Sequence, residues 1–199
     1  MRFINSNIEP KYDFARSISS LVQPIIITIP VFIILNYFVT GETNFLIFTL
    51  LSLLFATVLP FTAVWIWIKN KDLDFDITDK DERTFPLLFG IVSYFIGVII
   101  LFIAGAPAAV TVLMFCYFSN ALLTLFITFF WKISLHSMGV AGPTAAMVYI
   151  FGYSGLLFLF PLVMVMWSRI YLNKHTPAQV VVGAVSGFVF TWLQFWIFL

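Results

Sequence analysis

The sequence predicts an all-α fold, a single polytopic membrane bundle of about six or seven helices that takes in residues 1–199. Three observations carry this. The chain is 62% hydrophobic and only 10% charged, whereas soluble domains run nearer a quarter charged. Its apolar residues lie in long unbroken runs without period-2 alternation, and backbone in lipid must satisfy its own hydrogen bonds, so the runs are helices rather than barrel strands. Finally, all ten Lys and Arg residues fall on one side once the runs are threaded through a bilayer.

Seven runs serve as spans: 17–39, 45–68, 86–104, 107–130, 138–151, 155–167 and 178–199. One side then collects Arg2, Lys11, Arg16, Lys69, Lys71, Lys80, Arg83, Lys132, Arg169 and Lys174, together with His136 and His175. The other side holds the polar stretch 40–44, short turns at 104–107 and 152–155, and the C-terminus. By the positive-inside rule the charged side, with the N-terminus, is cytoplasmic. Arg2, Lys11 and Arg16 form a basic tail suited to anionic headgroups. The first run has full span length and no small-residue cleavage site after it, so it reads as a span rather than a leader.

The stretch 138–167 needs a decision. As one helix its thirty residues would extend about 45 Å, too long for the bilayer core unless steeply tilted. Gly152 and Gly155 favour a break, and Pro161 kinks the second half. Two short helices return Arg169 to the side of His136. Small residues cluster in the C-terminal half, and Gly183-x-x-x-Gly187 is a pattern that lets helices approach closely. Trp65, Trp67, Trp131 and Trp167 sit near span ends, as an interfacial belt requires. Cys116 lies inside an apolar run and reads as a buried structural residue.

Polar chemistry is confined to three stretches, 69–86, 132–136 and 168–179. Two spans separate each from the next, so all three meet one bilayer face. Arg grips phosphate oxygens bidentately, Lys adds point charge, and imidazole serves as nucleophile or proton donor. Two Arg, several Lys and two His gathered there suit a phosphate-headed lipid. A net charge of +1 gives no reason to expect a nucleic-acid partner; the expected partners are membrane lipids, and oligomeric state is not encoded legibly.

Ser168-Arg169, five residues, then His175 resembles the third signature of the type-2 phosphatidic acid phosphatase superfamily. Ser134-Leu-His136 is similar to its second, Pro-Ser-Gly-His, and Lys80, Arg83 and Pro86 echo its first with altered spacing. The resemblance covers roughly the second half of the chain and that loop. It implies a similar bundle and hydrolysis of a lipid phosphate or diphosphate, phospholipid or isoprenoid, through a phosphohistidine, with no metal or cofactor. His175 would attack phosphorus and His136 would protonate the leaving alkoxide. Arg169, Arg83, Ser134 and Lys80 would hold the phosphoryl oxygens. Where the family carries an Asp four residues after the nucleophile, this chain has Gln179. As residues i and i+4 of one helix face, Gln179 and His175 are expected to meet, the amide oxygen accepting the ring N–H without supplying charge.

Two other classes compete. The acidic loop with Asp72, Asp74, Asp76, Asp79, Asp81 and Glu82 is by default a solvated connector. Its sharper reading is a Mg²⁺-diphosphate site of prenyltransferase type, with Asp74, Asp76 and Asp79 as ligands; Asp74, Asp79, Arg83 and Pro86 loosely match that pattern. An inactive scaffold or a transporter-like bundle is the third class. Gln23, Asn36, Asn120 and Gln194 are too few to make a midplane ion path.

Overall fold

The computed structural model describes residues 10–71 and 80–199, the side chains at 70–71 and 80–83 excepted. The described residues are helical almost throughout, with no strand among them. In chain order the helices are α1 (Pro10–Leu21), α2 (Pro24–Val39), α3 (Gly41–Leu53), α4 (Leu59–Lys71), α5 (Lys80–Ile103), α6 (Ala108–Phe130), α7 (Leu135–Phe151), α8 (Leu159–Tyr171) and α9 (Pro177–Phe198). A π-helical turn, Leu54–Val58, joins α3 to α4, and a 3₁₀ segment, Gly152–Phe158, joins α7 to α8. Five stretches are long and apolar enough to cross a membrane, or six if α1 and α2 count as one bent span. The outward face of α5, with Val92, Phe95, Ile99 and Phe102, is exposed along its length, as it would be against lipid rather than water. These features mark an integral membrane protein.

The spans differ from the sequence expectation at three places. The run 17–39 is not one helix: α1 and α2 are bent by 55° at their junction. Pro24 is the cause, since it forces Gln23 out of the helical region (φ −80°, ψ 147°) and then starts α2 at its first turn. The polar stretch 40–44 is not a loop either. Thr40 alone separates α2 from α3, and Gly41 takes the positive φ of +69° that the sharp turn demands. In the third place, the π-helical turn precedes Pro60, which has no N–H to give its own helix. The carbonyl of Phe55 in that turn is taken instead by the Ser93 hydroxyl on α5, at 2.7 Å.

The stretch Leu135–Tyr171 is long and apolar enough for one span, yet it reverses direction. Met147 and Gly155 would be about 12 Å apart in a straight helix, but a methyl group placed on Gly155 would collide with the Met147 carbonyl. The Thr144 hydroxyl likewise donates to the Phe158 carbonyl at 3.2 Å, a pair that a straight helix would hold about 21 Å apart. Gly152, at φ +57°, makes the turn. The break expected at Gly152–Gly155 is therefore present, and α7 and α8 are two short antiparallel legs; seven spans are reached only by counting both. On the far side of α7, Gly183 and Gly187 of α9 lie against the backbone of Ser134 and Met138, the close packing that the small-residue pattern predicted. The core lies where α2, α6, α7 and α9 meet, around Phe32, Leu35, Met114, Cys116, Met147 and Phe195.

Candidate functional site

A cavity of about 220 Å³ opens among α2, α4, α5, α6 and α7, and His136, Arg169 and His175 all stand in its wall. Each reaches it from a helix end. Ser134 caps α7, its hydroxyl accepting from Ser137 N–H at 3.3 Å and pairing with the Ser137 hydroxyl at 2.9 Å. That start places half-buried His136 in the first turn, where the helix dipole is positive. Arg169 lies in the last turn of α8 and is 1% exposed.

The link from Arg169 to His175 is a helix-terminating turn. Lys174 N–H donates to the Arg169 carbonyl at 3.1 Å and Asn173 N–H to the Ile170 carbonyl at 3.0 Å, with Asn173 at φ +53°. This is the Schellman pattern, in which one left-handed residue, here the Asn that tolerates it, closes the helix. His175 N–H also donates to the Arg169 carbonyl, at 3.3 Å, so the histidine backbone is tied to the arginine backbone. The imidazole is 6% exposed.

Gln179 meets His175 as expected, its Oε1 lying 3.2 Å from the ring Nδ1, but the geometry behind the contact is different. His175 precedes the helix rather than sharing a face of it. Thr176 caps α9, and Gln179 closes a capping box, its Oε1 also accepting Thr176 N–H at 3.1 Å. An amide N–H can only donate, which identifies Oε1 as the atom facing Nδ1. An acceptor there fixes the neutral imidazole with its proton on Nδ1 and its lone pair on Nε2.

Arg169 has a partner that the sequence reading missed. Its Nη1 donates to the Ser19 hydroxyl of α1 at 2.8 Å, with both groups buried. The residues lie 150 apart in sequence, and no local pattern signals the pair. Helix α1 packs on α8 through this contact and through Phe14 against Trp167, with ring centroids 6.0 Å apart.

Ser134 and Ser168 do not reach the cavity wall. Ser134 Oγ accepts from the Ser137 N–H and hydroxyl as the cap of α7, and the Ser168 hydroxyl donates to the Val165 carbonyl at 3.0 Å within its own helix. Lys80 and Arg83 lie in the first turn of α5, about two turns and one turn respectively before Pro86 and Leu87 of the cavity wall; their side chains are outside the described residues. Trp67 stacks on Phe85 at 4.2 Å between centroids, bringing the end of α4 to the same end of the bundle. Asp74, Asp76 and Asp79, the alternative metal ligands, lie outside the described residues. Among the described ones no three His, Cys, Asp or Glu gather into a metal-binding group.

Away from the charged end the wall is apolar, with Ile25, Phe61, Val64, Leu87 and Met138, interrupted by Tyr94, Tyr117 and Asn120. The cavity thus brings cationic and imidazole groups together with apolar side chains in one wall. No family model, curated protein or solved structure matches this chain. What fold and site define is a class: an all-α integral membrane protein with a histidine–arginine cavity.

Proposed function

We propose that this protein is a divergent member of the type-2 phosphatidic acid phosphatase superfamily and hydrolyses a lipid phosphate or diphosphate without a metal, through a phosphohistidine. The observation that carries the reading is that His136, Arg169 and His175, from three separate helix ends, share one cavity wall. His175 Nε2 attacks phosphorus and the ester P–O bond breaks. His136 gives its proton to the departing alkoxide, then takes one from the water that attacks the phosphohistidine and releases phosphate. Arg169 holds the negative oxygens throughout, where preorganised charge lowers the barrier. Phosphate release from lipid phosphates by the purified protein, measured in excess chelator, tests this. Activity should persist in chelator, and His175→Ala and Arg169→Ala should each cut it on the order of a thousandfold. Loss in chelator with recovery on added Mg²⁺ would favour the aspartate-loop reading, and a His175→Ala enzyme above about a tenth of normal rate excludes the covalent route.

In the same reading the site and the N-terminus face the cytoplasm, because the Lys and Arg residues are sorted to that end. A cysteine placed at Glu42 should react with a membrane-impermeant thiol reagent from outside the cell, and one at Lys71 should not. The reverse pattern overturns the orientation.

A further inference from the structure

The cavity continues past its charged end, and register along the α6–α7 pair sets the depth. The Thr124 hydroxyl lies 2.9 Å from Met138 Sδ, and a methyl placed on Gly142 would stand 3.0 Å from Asn120 Nδ2. Asn120 is therefore level with Gly142, six residues beyond His136 on α7 and about 9 Å deeper in the bundle. Tyr117 lies one turn further along α6. Both residues line the cavity, at 9% and 8% exposure.

Asn120 uses its amide nitrogen on the Thr191 hydroxyl, at 2.8 Å. Its Oδ1 is buried and has no hydrogen-bond partner among the described residues, and neither has the Tyr117 hydroxyl. Thr124, one turn along α6, is engaged elsewhere, giving its proton to the Asn120 carbonyl at 2.7 Å. The Tyr117 ring is held between Phe32 and Tyr94, each at 5.7 Å between centroids, so the hydroxyl cannot easily swing to another acceptor. Two unsatisfied polar atoms at membrane depth, one an acceptor and one a donor, are costly unless something bound in the cavity completes them.

We propose that Asn120 and Tyr117 form a neutral hydrogen-bonding subsite that takes a hydroxyl carried on the chain of the bound amphiphile. A hydroxyl answers both atoms, donating to Asn120 Oδ1 and accepting from Tyr117 O–H. A carbonyl answers only Tyr117, and a methylene answers neither. The proposal rests on the phosphatase reading for the ligand's charged end, and it divides what that reading leaves together: chains with a hydroxyl below the phosphate are favoured over plain hydrocarbon chains.

The test uses the full chain in nanodiscs and alkyl phosphonates, which have no scissile ester, so binding is read apart from turnover. Hexadecyl phosphonate is compared by calorimetry with its derivatives carrying one hydroxyl at successive positions along the chain. The best derivative should bind at least about fivefold tighter than the parent, because a site with paired polar atoms rejects a ligand that leaves them bare. Tyr117→Phe, which keeps the ring packing, and Asn120→Leu should each bring that ratio to within about twofold of one. A ratio below fivefold in the wild type overturns the subsite, as does a ratio that both variants leave intact. Failure to release phosphate from any lipid phosphate, with the binding ratio preserved, would instead sink the phosphatase reading and leave the subsite standing.

Discussion

In the cavity wall His136, Arg169 and His175 all sit at helix termini, while α2, α4 and α5 contribute Pro24, Pro60 and Pro86. The polar side is held by caps: Ser134 on α7, the Asn173 turn after α8, and the Thr176–Gln179 box on α9. Each cap satisfies backbone groups that a helix end leaves bare and fixes a functional side chain in doing so. On the apolar side α2 starts at Pro24 without a side-chain cap. There Pro60 removes a backbone donor from its helix, and the Phe55 carbonyl takes the Ser93 hydroxyl of α5 instead. On the proposed reading, the capped helix ends supply the fixed geometry that phosphoryl chemistry requires, and the apolar wall takes the chain.

The sharpest way to break this contrast is to add one methyl group to each side. Gly187→Ala on α9 would put its Cβ 2.5 Å from the Met138 carbonyl oxygen and 3.1 Å from its carbon, backbone that cannot yield without moving the start of α7. Overpacking of that kind costs about 1–3 kcal/mol. Gly90→Ala on α5 meets only the Tyr94 side chain, at 3.5 Å, ordinary contact, and Ala gains up to about 1 kcal/mol of helix propensity. Thermal unfolding in detergent should therefore drop clearly for the first variant and hold or rise for the second. Equal losses would mean that both sides are equally tight.

An effect on the site itself is expected at Ser19, the tie that α1 adds to the polar side. Ser19→Ala leaves Arg169 buried without that hydroxyl, and hydrogen bonds to charged groups contribute about 1.5–3 kcal/mol. In an active enzyme kcat/KM should fall about tenfold, and Ser19→Thr should restore most of it. A purely structural role would instead lower the unfolding temperature and leave kcat/KM of the folded enzyme unchanged.

Much of this was legible in sequence where the signal is local. The reversal at Gly152–Gly155 follows from two glycines in a run too long for one span, and the meeting of His136, Arg169 and His175 from polar stretches separated by pairs of spans. The joint at Gln23–Pro24 escaped because hydropathy runs through it unbroken; the clue was the proline, whose constraint on its predecessor is conformational rather than hydropathic. Ser19 and its arginine escaped because nothing in either segment names the other. Asn120 was visible only as one polar residue in a span, and its open oxygen appears once Thr191 is seen to occupy its nitrogen. The Gln179–His175 contact was anticipated from helical spacing, but the Thr176-x-x-Gln179 capping box makes it.

That box makes Gln179 the finest probe of the polar side, because one oxygen serves both Thr176 N–H and the imidazole. Gln179→Glu keeps the length and both acceptor contacts and adds a negative charge beside Nδ1. A carboxylate there favours the imidazolium and raises the affinity of the ring for its proton. The nucleophile must be neutral to attack, so the neutral form now prevails only at higher pH, and the acid limb of the rate profile should move upward. Gln179→Asp adds the same charge on a side chain one methylene shorter, and should shift the limb less while weakening the cap. The rate at the optimum should change by no more than about tenfold, since geometry is largely kept and only the proton balance moves. If an active Gln179→Glu enzyme shows the wild-type acid limb, the His175–Gln179 contact does not govern the titrating group, and His175 is not the base-limited nucleophile.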